Sequence, residues 1–575
     1  MDSTLLERAR SWRDSDSDPE TAREVDGLLA SGDEAGLLDR FRGELEFGTA
    51  GLRGLLGAGP NRMNRAVVRR ATAGVARHLL ATVPDAARRG VVVARDARRG
   101  SEEFALDTAG VLAGFGIRAF FFVDRAPTPL GAFAVKELGA AAGIVVTASH
   151  NPPAYNGYKV YWGNGAQIVP PVDAGIAAEI SAAGPANEIP FLGRAEAEAE
   201  RLFVPLGEEL ARAYHDAIDR LLLHPGEGRD LGIVYTAMHG VGARFTLEAL
   251  RRSGFARLHP VSAQNEPDGA FPTVSFPNPE EPGALDLALA LCEETKADLL
   301  LANDPDADRL AAGARDRDGT MRVFSGNELG VLLGAYALTQ RNPKPERPLV
   351  LTTIVSSSQL GTIARDLGAA YAETLTGFKW IENRALELER EEGRTTVFGY
   401  EEALGYSVGD VVRDKDGISA ALVFADLAGW CRARGTTPWG YLEELQRSHG
   451  LFLSAQKSVT IPGAEGAATI AAIMDGFRAA PPAAIGGLTV TETRDYRAGV
   501  RGLPKSNVVA YLLDGGSRVT LRPSGTEPKI KYYFELRETP GAGEELRSAK
   551  ERGEERLAAL VADFVRLAVE RGQPA

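Results

Sequence analysis

The chain reads as an α/β protein in which three similar α/β domains, each with a mixed but mostly parallel sheet, are followed by a fourth domain of α+β build around a central cleft. Three observations predict this. Short apolar, β-branched runs alternate with helical stretches, the pattern of βαβ units, and the alternation restarts twice along the chain. After Gly450 it gives way to closely spaced strand-like runs and one long closing helix. At 575 residues the chain is also too long for a single core.

Taken in order, residues 1–45 read as a helical extension of one or two polar-faced helices, with Asp14 to Asp18 as a loop or cap. Residues 46–226 form the first domain, with strands at Val91 to Ala94, Ala119 to Val123 and Gly143 to Ala148 and a helix from Phe104 to Gly114. The Gly- and Pro-containing stretch Leu223 to Arg229 reads as a linker. Residues 227–322 hold strands at Gly232 to Tyr235, Arg257 to Val261 and Leu299 to Ala302. Residues 323–452 hold Pro348 to Leu351 and Thr396 to Phe398. Residues 453–575 carry strands at Ser458 to Ile461, Leu488 to Thr491, Val508 to Leu513, Arg518 to Leu521 and Ile530 to Glu535, then a helix from Glu544 to Ala568.

Composition narrows the function. Hydrophobic content of 44% and charged content of 25% suit a folded soluble protein. A formal net charge of -13 argues against nucleic acid or an anionic membrane as partner, so an anionic substrate needs a locally basic pocket. Cys292 and Cys431 make neither a disulfide framework nor a metal cluster. The first residues lack an apolar signal core and no segment is long enough to span a bilayer, so the expected location is the cytoplasm. Nothing in the sequence calls for a protein partner.

Four loops carry chemistry. In Gly143 to Pro153 an apolar run ends on Ser149 and His150, and two prolines then forbid strand or helix. A serine on a rigid turn at the carboxyl end of a parallel strand is placed to accept a group and return it. The loop Asn303-Asp304-Pro305-Asp306-Ala307-Asp308-Arg309 follows a strand. Alternate carboxylates in extended chain point to one side, so Asp304, Asp306 and Asp308 converge on one hard cation, with positions left for a phosphate. An EF-hand is excluded by the missing sixth-position glycine and distant glutamate; the plainer alternative is a solvated acidic turn. Arg522 to Lys529 combines Arg522, Ser524, Gly525, Thr526 and Lys529 into an anion nest, against the alternative of an ordinary hairpin turn. Gly399 to Tyr406 offers Glu401 and Glu402, either to sugar hydroxyls or as a solvated helix start. Weaker signals are Gly48 to Gly54, with Arg53, and Ala94 to Ser101, which either brings positive charge to Ser149 or caps a helix. His239 is open between site and core.

Together the four loops resemble the α-D-phosphohexomutase superfamily of phosphoglucomutases and phosphomannomutases. The pieces are T-A-S-H-N-P-P-A-Y-N-G-Y-K at Thr147 to Lys159, N-D-P-D-A-D-R at Asn303 to Arg309, G-Y-E-E-A-L-G-Y at Gly399 to Tyr406, and R-P-S-G-T-E-P-K-I-K-Y-Y at Arg522 to Tyr533. With T-G-F-K-W at Thr376 to Trp380, they are most similar to the branch of bacterial phosphoglucomutases, phosphopentomutase and glucose-1,6-bisphosphate synthase. The resemblance implies that Ser149 is carried as phosphoserine, with Mg2+ held by Asp304, Asp306, Asp308 and a phosphoryl oxygen on Ser149. It implies a phosphosugar substrate, glucose 1-phosphate, passing through glucose 1,6-bisphosphate to glucose 6-phosphate, with pentose or mannose 1-phosphate as alternatives. Lys159 is the implied general acid/base, with His150, Arg53 and Arg309 at the reacting group. Arg522, Ser524, Gly525, Thr526 and Lys529 hold the substrate phosphate. Glu401, Gly377, Lys379 and Lys415 join them around the sugar. Two positions depart from the pattern. Ala403 stands where many relatives have a sugar-binding serine, and Tyr406 where the mannose-accepting group has histidine. A non-catalytic sugar-phosphate sensor and a serine phosphatase are the competing classes.

Overall fold

The computed structural model describes residues 3–46, 51–461, 466–524, 529–541 and 543–572. Three helices open the chain, Ser3–Ser15, Pro19–Ser31 and Glu34–Phe41, where the sequence predicts one or two. The Asp14 to Asp18 tract does cap: the Asp18 carboxylate accepts from the Glu20 amide at the start of the second helix.

The first sheet contains β1 (Leu52–Leu55), β2 (Val91–Arg95), β3 (Ala119–Phe122), β4 (Ala142–Val146), β5 (Tyr155–Trp162) and β6 (Phe203–Leu206), in the order β1-β5-β4-β2-β3-β6. β2 pairs in parallel with β3 and β4, and β5 returns antiparallel to β4. The second contains β7 (Gly232–Thr236), β8 (Arg257–Pro260), β9 (Leu299–Asn303), β10 (Leu310–Arg315) and β11 (Met321–Val323), ordered β11-β10-β9-β7-β8. The third contains β12 (Pro348–Thr353), β13 (Ala370–Thr374), β14 (Thr395–Glu401) and β15 (Gly405–Val408), ordered β13-β12-β14-β15. All three share one plan. The first parallel strand lies between the second and third, and an antiparallel strand folds back along the third. The predicted similarity of the three domains is thus a similarity of topology.

The fourth sheet, β16 (Leu451–Thr460), β17 (Ala484–Ile485), β18 (Leu488–Asp495), β19 (Val509–Leu513), β20 (Arg518–Pro523) and β21 (Lys529–Glu538), is antiparallel throughout. Alternation decides its two faces. Val509, Tyr511, Val519 and Tyr532 pack under helices Gly466–Ala479 and Leu546–Gly572. Ala510 and Tyr533, one residue out of phase, face Ile354, Val355 and Leu375 of the third domain.

The sequence reading omits the return strands β5, β10 and β15 as well as β1, β6, β11, β13 and β17. Each return strand follows a sharp turn, which hides where it begins.

The first three domains are not beads on a string. One continuous apolar core runs from helix Thr128–Glu137 through the second sheet to helix Gly417–Ala433. The linker Leu223 to Arg229 has neither helix nor strand, but it is pinned. Asp426, fully buried on helix Gly417–Ala433, accepts from the amides of Leu223 (2.8 Å) and His224 (3.0 Å) and from Arg229 (2.7 Å). Among the described residues no helix is long and apolar enough to cross a membrane. Because Asp426→Ala strips a buried guanidinium and two amides of their acceptor, it should cost about 3–5 kcal/mol in urea denaturation. Asp426→Asn, which keeps an acceptor, should cost less.

Candidate active site

The three loops singled out in the first three domains occupy one topological position. Each joins the third parallel strand to its return strand: 147–154 between β4 and β5, 304–309 between β9 and β10, and 402–404 between β14 and β15. These are carboxyl ends of parallel strands, where open α/β sheets bind ligands.

Ser149 is 2% exposed and sits at φ 53°, a left-handed conformation that costs a non-glycine residue free energy. The surroundings hold it there. Its amide donates to Thr147 Oγ1 at 2.8 Å, and Thr147 donates to Asp96 at 2.6 Å. Arg98, 4% exposed, donates to the carbonyls of Ser149 (2.5 Å), Asn151 (2.6 Å), Pro152 (3.0 Å) and Tyr155 (3.2 Å). One guanidinium therefore ties the turn together at four points, and Asp96 balances its charge at 3.3 Å. The Ala94 to Ser101 segment does bring positive charge to the serine loop, through its backbone. The sequence reading singled out the segment of Arg98 and Asp96 and the motif of Thr147, but gave none of the three residues a role of its own. The signal that pointed to them was a charged D-x-R directly after a strand, with two roles left open.

The Ser149 hydroxyl donates to Asp304 Oδ2 at 2.9 Å and lies 3.2 Å from His150 Nδ1. Ligand oxygens of Asp304, Asp306 and Asp308 all lie within 4.8 Å of one another, and the three residues are buried. Convergence comes about differently from the extended chain expected. The segment is a turn, with the Ala307 amide donating to the Asp304 carbonyl at 2.9 Å and Ala307 at φ 57°. Pro305 and the left-handed Ala307 fold the chain too tightly for strand alternation. Asn303 fixes the base, accepting from Tyr235 and Thr246, both at 2.9 Å, and donating to the Arg309 carbonyl at 2.7 Å.

Lys159 reaches this cluster from β5, where it lies opposite Val145 on the strand that leads to Ser149. Its ammonium donates to Asp306 at 2.7 Å and Asp308 at 2.8 Å. Thr128, another residue unread in the sequence, donates to Asp306 at 2.6 Å. Burial works to raise all three carboxyls, and their mutual repulsion adds to it. Asp304 is accordingly pushed well above the ordinary carboxylate range. In Asp306 and Asp308 burial is the largest single influence, but the charge and hydrogen bonds of Lys159, together with Thr128 at Asp306 and with Lys415 and Arg309 at Asp308, hold them low. The same pairing keeps the Lys159 ammonium above its usual range despite burial. Asp306 Oδ1 and Asp308 Oδ1 remain buried without a donor among the described residues. Unsatisfied carboxylate oxygens beside a third carboxylate fit a hard divalent cation.

The third domain closes on this cluster directly. Arg309 forms a β-bridge with Gly405, and the Leu310 amide donates to the Leu404 carbonyl at 3.1 Å. Glu401 is the last residue of β14 and buried, so the solvated helix start is excluded. Burial raises its carboxyl, opposed by Lys415 and Arg309. Lys415 lies 3.3 Å from Asp308 and 3.5 Å from Asp414, which itself accepts from Tyr161 (2.6 Å) and Gln167 (2.7 Å). Gly417 must be glycine here, because a Cβ would lie 2.2 Å from the Arg309 carbonyl oxygen. Glu402 turns instead into its own domain, accepting from Ser356 at 2.9 Å.

Arg53 is half-buried and donates to Asn151 Oδ1 at 3.0 Å. In the fourth domain Arg522, Ser524 and Lys529 lie where β20 and β21 pair as a hairpin. Gly525 and Thr526 lie outside the described residues, as do Gly48 to Ala50. Burial lowers Lys531, with the carboxylates of Glu402 and Glu280 opposing.

The Phe378 ring lies 5.5 Å from Lys415 Nζ, which brings the Gly377 to Lys379 segment beside the cluster. Gly377, at φ 113°, starts helix Phe378–Glu392, and buried Lys379 lies 5.2 Å from the Trp380 ring; burial lowers its ammonium, with Asp173 opposing. Ala403 is half-buried and offers no polar group. Tyr406 is fully buried and donates to the Gly326 carbonyl at 3.3 Å, so it faces the core. His239 bonds Thr273 at 2.8 Å, a structural role.

A serine hydroxyl against a buried carboxylate cluster, with converging lysine and arginine, is a site for phosphoryl transfer. The class is that of the phosphosugar mutases. Family models for phosphoglucomutase/phosphomannomutase match along the chain: α/β/α domain I at 44–186, domain II at 212–317, domain III at 325–446 and the C-terminal domain at 468–549. A probable phosphoribomutase of Schizosaccharomyces pombe is 40% identical over 93% of this chain and 94% of its own. A probable phosphomannomutase of Haemophilus influenzae is 40% identical, covering 83% and 93%. Human phosphopentomutase is 36% identical, covering 96% and 95%. The chain belongs to the phosphoglucomutase/phosphomannomutase family of the α-D-phosphohexomutase superfamily and is an enzyme of that kind.

Two outcomes follow. Arg98→Ala should lower kcat about 100-fold with little change in KM, because a misplaced Ser149 loses alignment with the transferring group rather than substrate affinity. Burial first, then the charges of Arg309 and Arg53, hold His150 well below 6.5. Its ring should therefore stay neutral as pH falls from 8 through 6.5, which an NMR titration reads directly.

Proposed function

We propose that this enzyme is a phosphoglucomutase that carries phosphate on Ser149 and interconverts glucose 1-phosphate and glucose 6-phosphate through glucose 1,6-bisphosphate. The observation that carries the reading is the Ser149 hydroxyl 2.9 Å from Asp304, within a carboxylate cluster that also clamps Lys159. Asp304, Asp306 and Asp308 would hold Mg2+, which supplies charge neutralisation at the phosphoryl oxygens when bound.

Transfer begins with a sugar hydroxyl attacking the phosphorus of phosphoserine. The bond to Ser149 Oγ breaks, and that oxygen takes a proton as the sugar hydroxyl gives one up. Lys159, charged and buried beside the serine strand, gives a proton to Ser149 Oγ and takes up the one released by the sugar hydroxyl, so it ends the step charged again. Arg53 and Arg309 attract the equatorial oxygens, and neutral His150 accepts or donates at the serine oxygen. Glu401 and Lys415 orient the sugar hydroxyls. Arg522, Ser524, Gly525, Thr526 and Lys529 take the phosphate that is not reacting. After the bisphosphate turns over in the cleft, the return transfer restores phosphoserine, so no phosphate is lost. Keeping all these groups in place argues against a non-catalytic sensor.

A second reading, the same chemistry on ribose 1-phosphate, is favoured by the 40% identity to a probable phosphoribomutase. A mannose 1-phosphate reading draws on the equally similar probable phosphomannomutase. Ala403 removes one hydroxyl from the sugar side whichever sugar is used. Competition kinetics among glucose, ribose and mannose 1-phosphates, each with its bisphosphate present, should give the highest kcat/KM for glucose 1-phosphate. A higher value for ribose or mannose would assign the enzyme to that sugar. Ser149→Ala should abolish turnover of all three, and a chelator should do so reversibly, with activity restored by Mg2+.

A further inference from the structure

A cleft of about 1060 Å³ opens mainly between the third and fourth domains, with Asn164, Val169 and Pro170 of the first domain also lining it, on the far side of strand β13 from return strand β15. Its walls are helix Gln359–Asp366, β13 and helix Phe378–Glu392 on one side, and residues 494–504, β20 and β21 on the other. In a chain of net charge -13, seven arginines and two glutamates line it, with no lysine or aspartate.

Both glutamates are already engaged. Glu373 accepts from Arg518 at 3.0 Å, and Glu387 from Arg384 at 2.5 Å. Arg390 and Arg494 pair with Glu391 and Glu492, which do not line the cleft. That leaves Arg365, Arg501 and Arg537 with no carboxylate at ion-pair distance among the described residues. Arg365 comes from the third domain and the other two from the fourth, so the unbalanced charge is placed across the junction. The half-buried rings of Tyr371 and Trp380 supply a flat apolar wall beside it. Guanidinium groups without partners, in a cleft of this size with aromatic walls, match a phosphate chain with a planar body attached.

We infer that this cleft binds a small polyphosphorylated molecule, which would tie the fourth domain to the third. The inference stands apart from the choice of sugar. A ligand spanning Arg365 and Arg537 would resist separation of the two domains, and its lining reaches Leu375 and Trp380, which flank Gly377 and Lys379. Substrate exchange and occupancy of this cleft would thereby be coupled.

Calorimetric titration of the full-length protein with ATP, and separately with inorganic tripolyphosphate, tests this. It is run in metal-free buffer with saturating glucose 1-phosphate and glucose 1,6-bisphosphate to occupy the catalytic cleft. One binding event should persist, and the triple variant Arg365→Ser/Arg501→Ser/Arg537→Ser should weaken it at least about tenfold. Tighter binding of ATP than of tripolyphosphate identifies a nucleoside polyphosphate; equal binding identifies the phosphate chain alone. Should the triple variant melt early, Arg365→Ser and Arg501→Ser, both at exposed positions, must each still lower affinity. Binding that the sugar phosphates abolish, or that the arginine variants leave unchanged, overturns the inference.

Discussion

Three carboxylates within 4.8 Å of one another, all buried, are the constraint on which the rest of the structure turns. Left alone they would repel, and each would be driven toward its neutral form. What offsets this comes largely from another domain. Lys159 and Thr128 of the first domain bond Asp306, Lys159 bonds Asp308, and Ser149 bonds Asp304. The carboxylate loop is therefore completed only when the first two domains are docked. The shared apolar core supplies that docking, and the reactive serine is brought to the carboxylates by the same contacts that stabilise them.

The repeated topology explains why one cleft gathers such different groups. A strand–turn–return unit delivers a turn at the end of its third parallel strand in each of the first three domains. One turn holds Ser149, one holds the aspartate cluster, and one follows directly on Glu401. The return strand is used too, since β5 supplies Lys159. The fourth domain is built differently, and its Arg522, Ser524 and Lys529 are carried by an antiparallel hairpin. It is attached to the third domain by the small apolar contact of Ala510 and Tyr533, by the pair of buried Arg518 with half-buried Glu373, and by Ser358 donating to Glu535.

Much of this was legible in the sequence because the chemistry is local. Ser149, the three aspartates and Glu401 each follow an apolar strand, so their positions could be read from strand ends. The four-domain architecture was legible from the restarting alternation. What was not legible lies in contacts between distant segments. Thr128 on Asp306 spans 178 residues, and the four carbonyls gathered by Arg98 belong to a loop some fifty residues away. The Asp304 to Asp308 turn shows the opposite error: a correct convergence predicted from a wrong backbone, because Ala307 takes a left-handed conformation that its residue type does not advertise. Tyr406 looked like a specificity position by its place in a motif, but strand alternation sends it into the core.

The central claim is that Ser149 carries phosphate between sugar hydroxyls without giving it to water. A single-turnover experiment with enzyme labelled by radioactive phosphate tests it most directly. Mixed with unlabelled glucose 1-phosphate, the label should leave the protein and appear in sugar phosphates, with negligible inorganic phosphate. Label appearing as inorganic phosphate in proportion to its loss from the protein would contradict the account and make the enzyme a phosphatase.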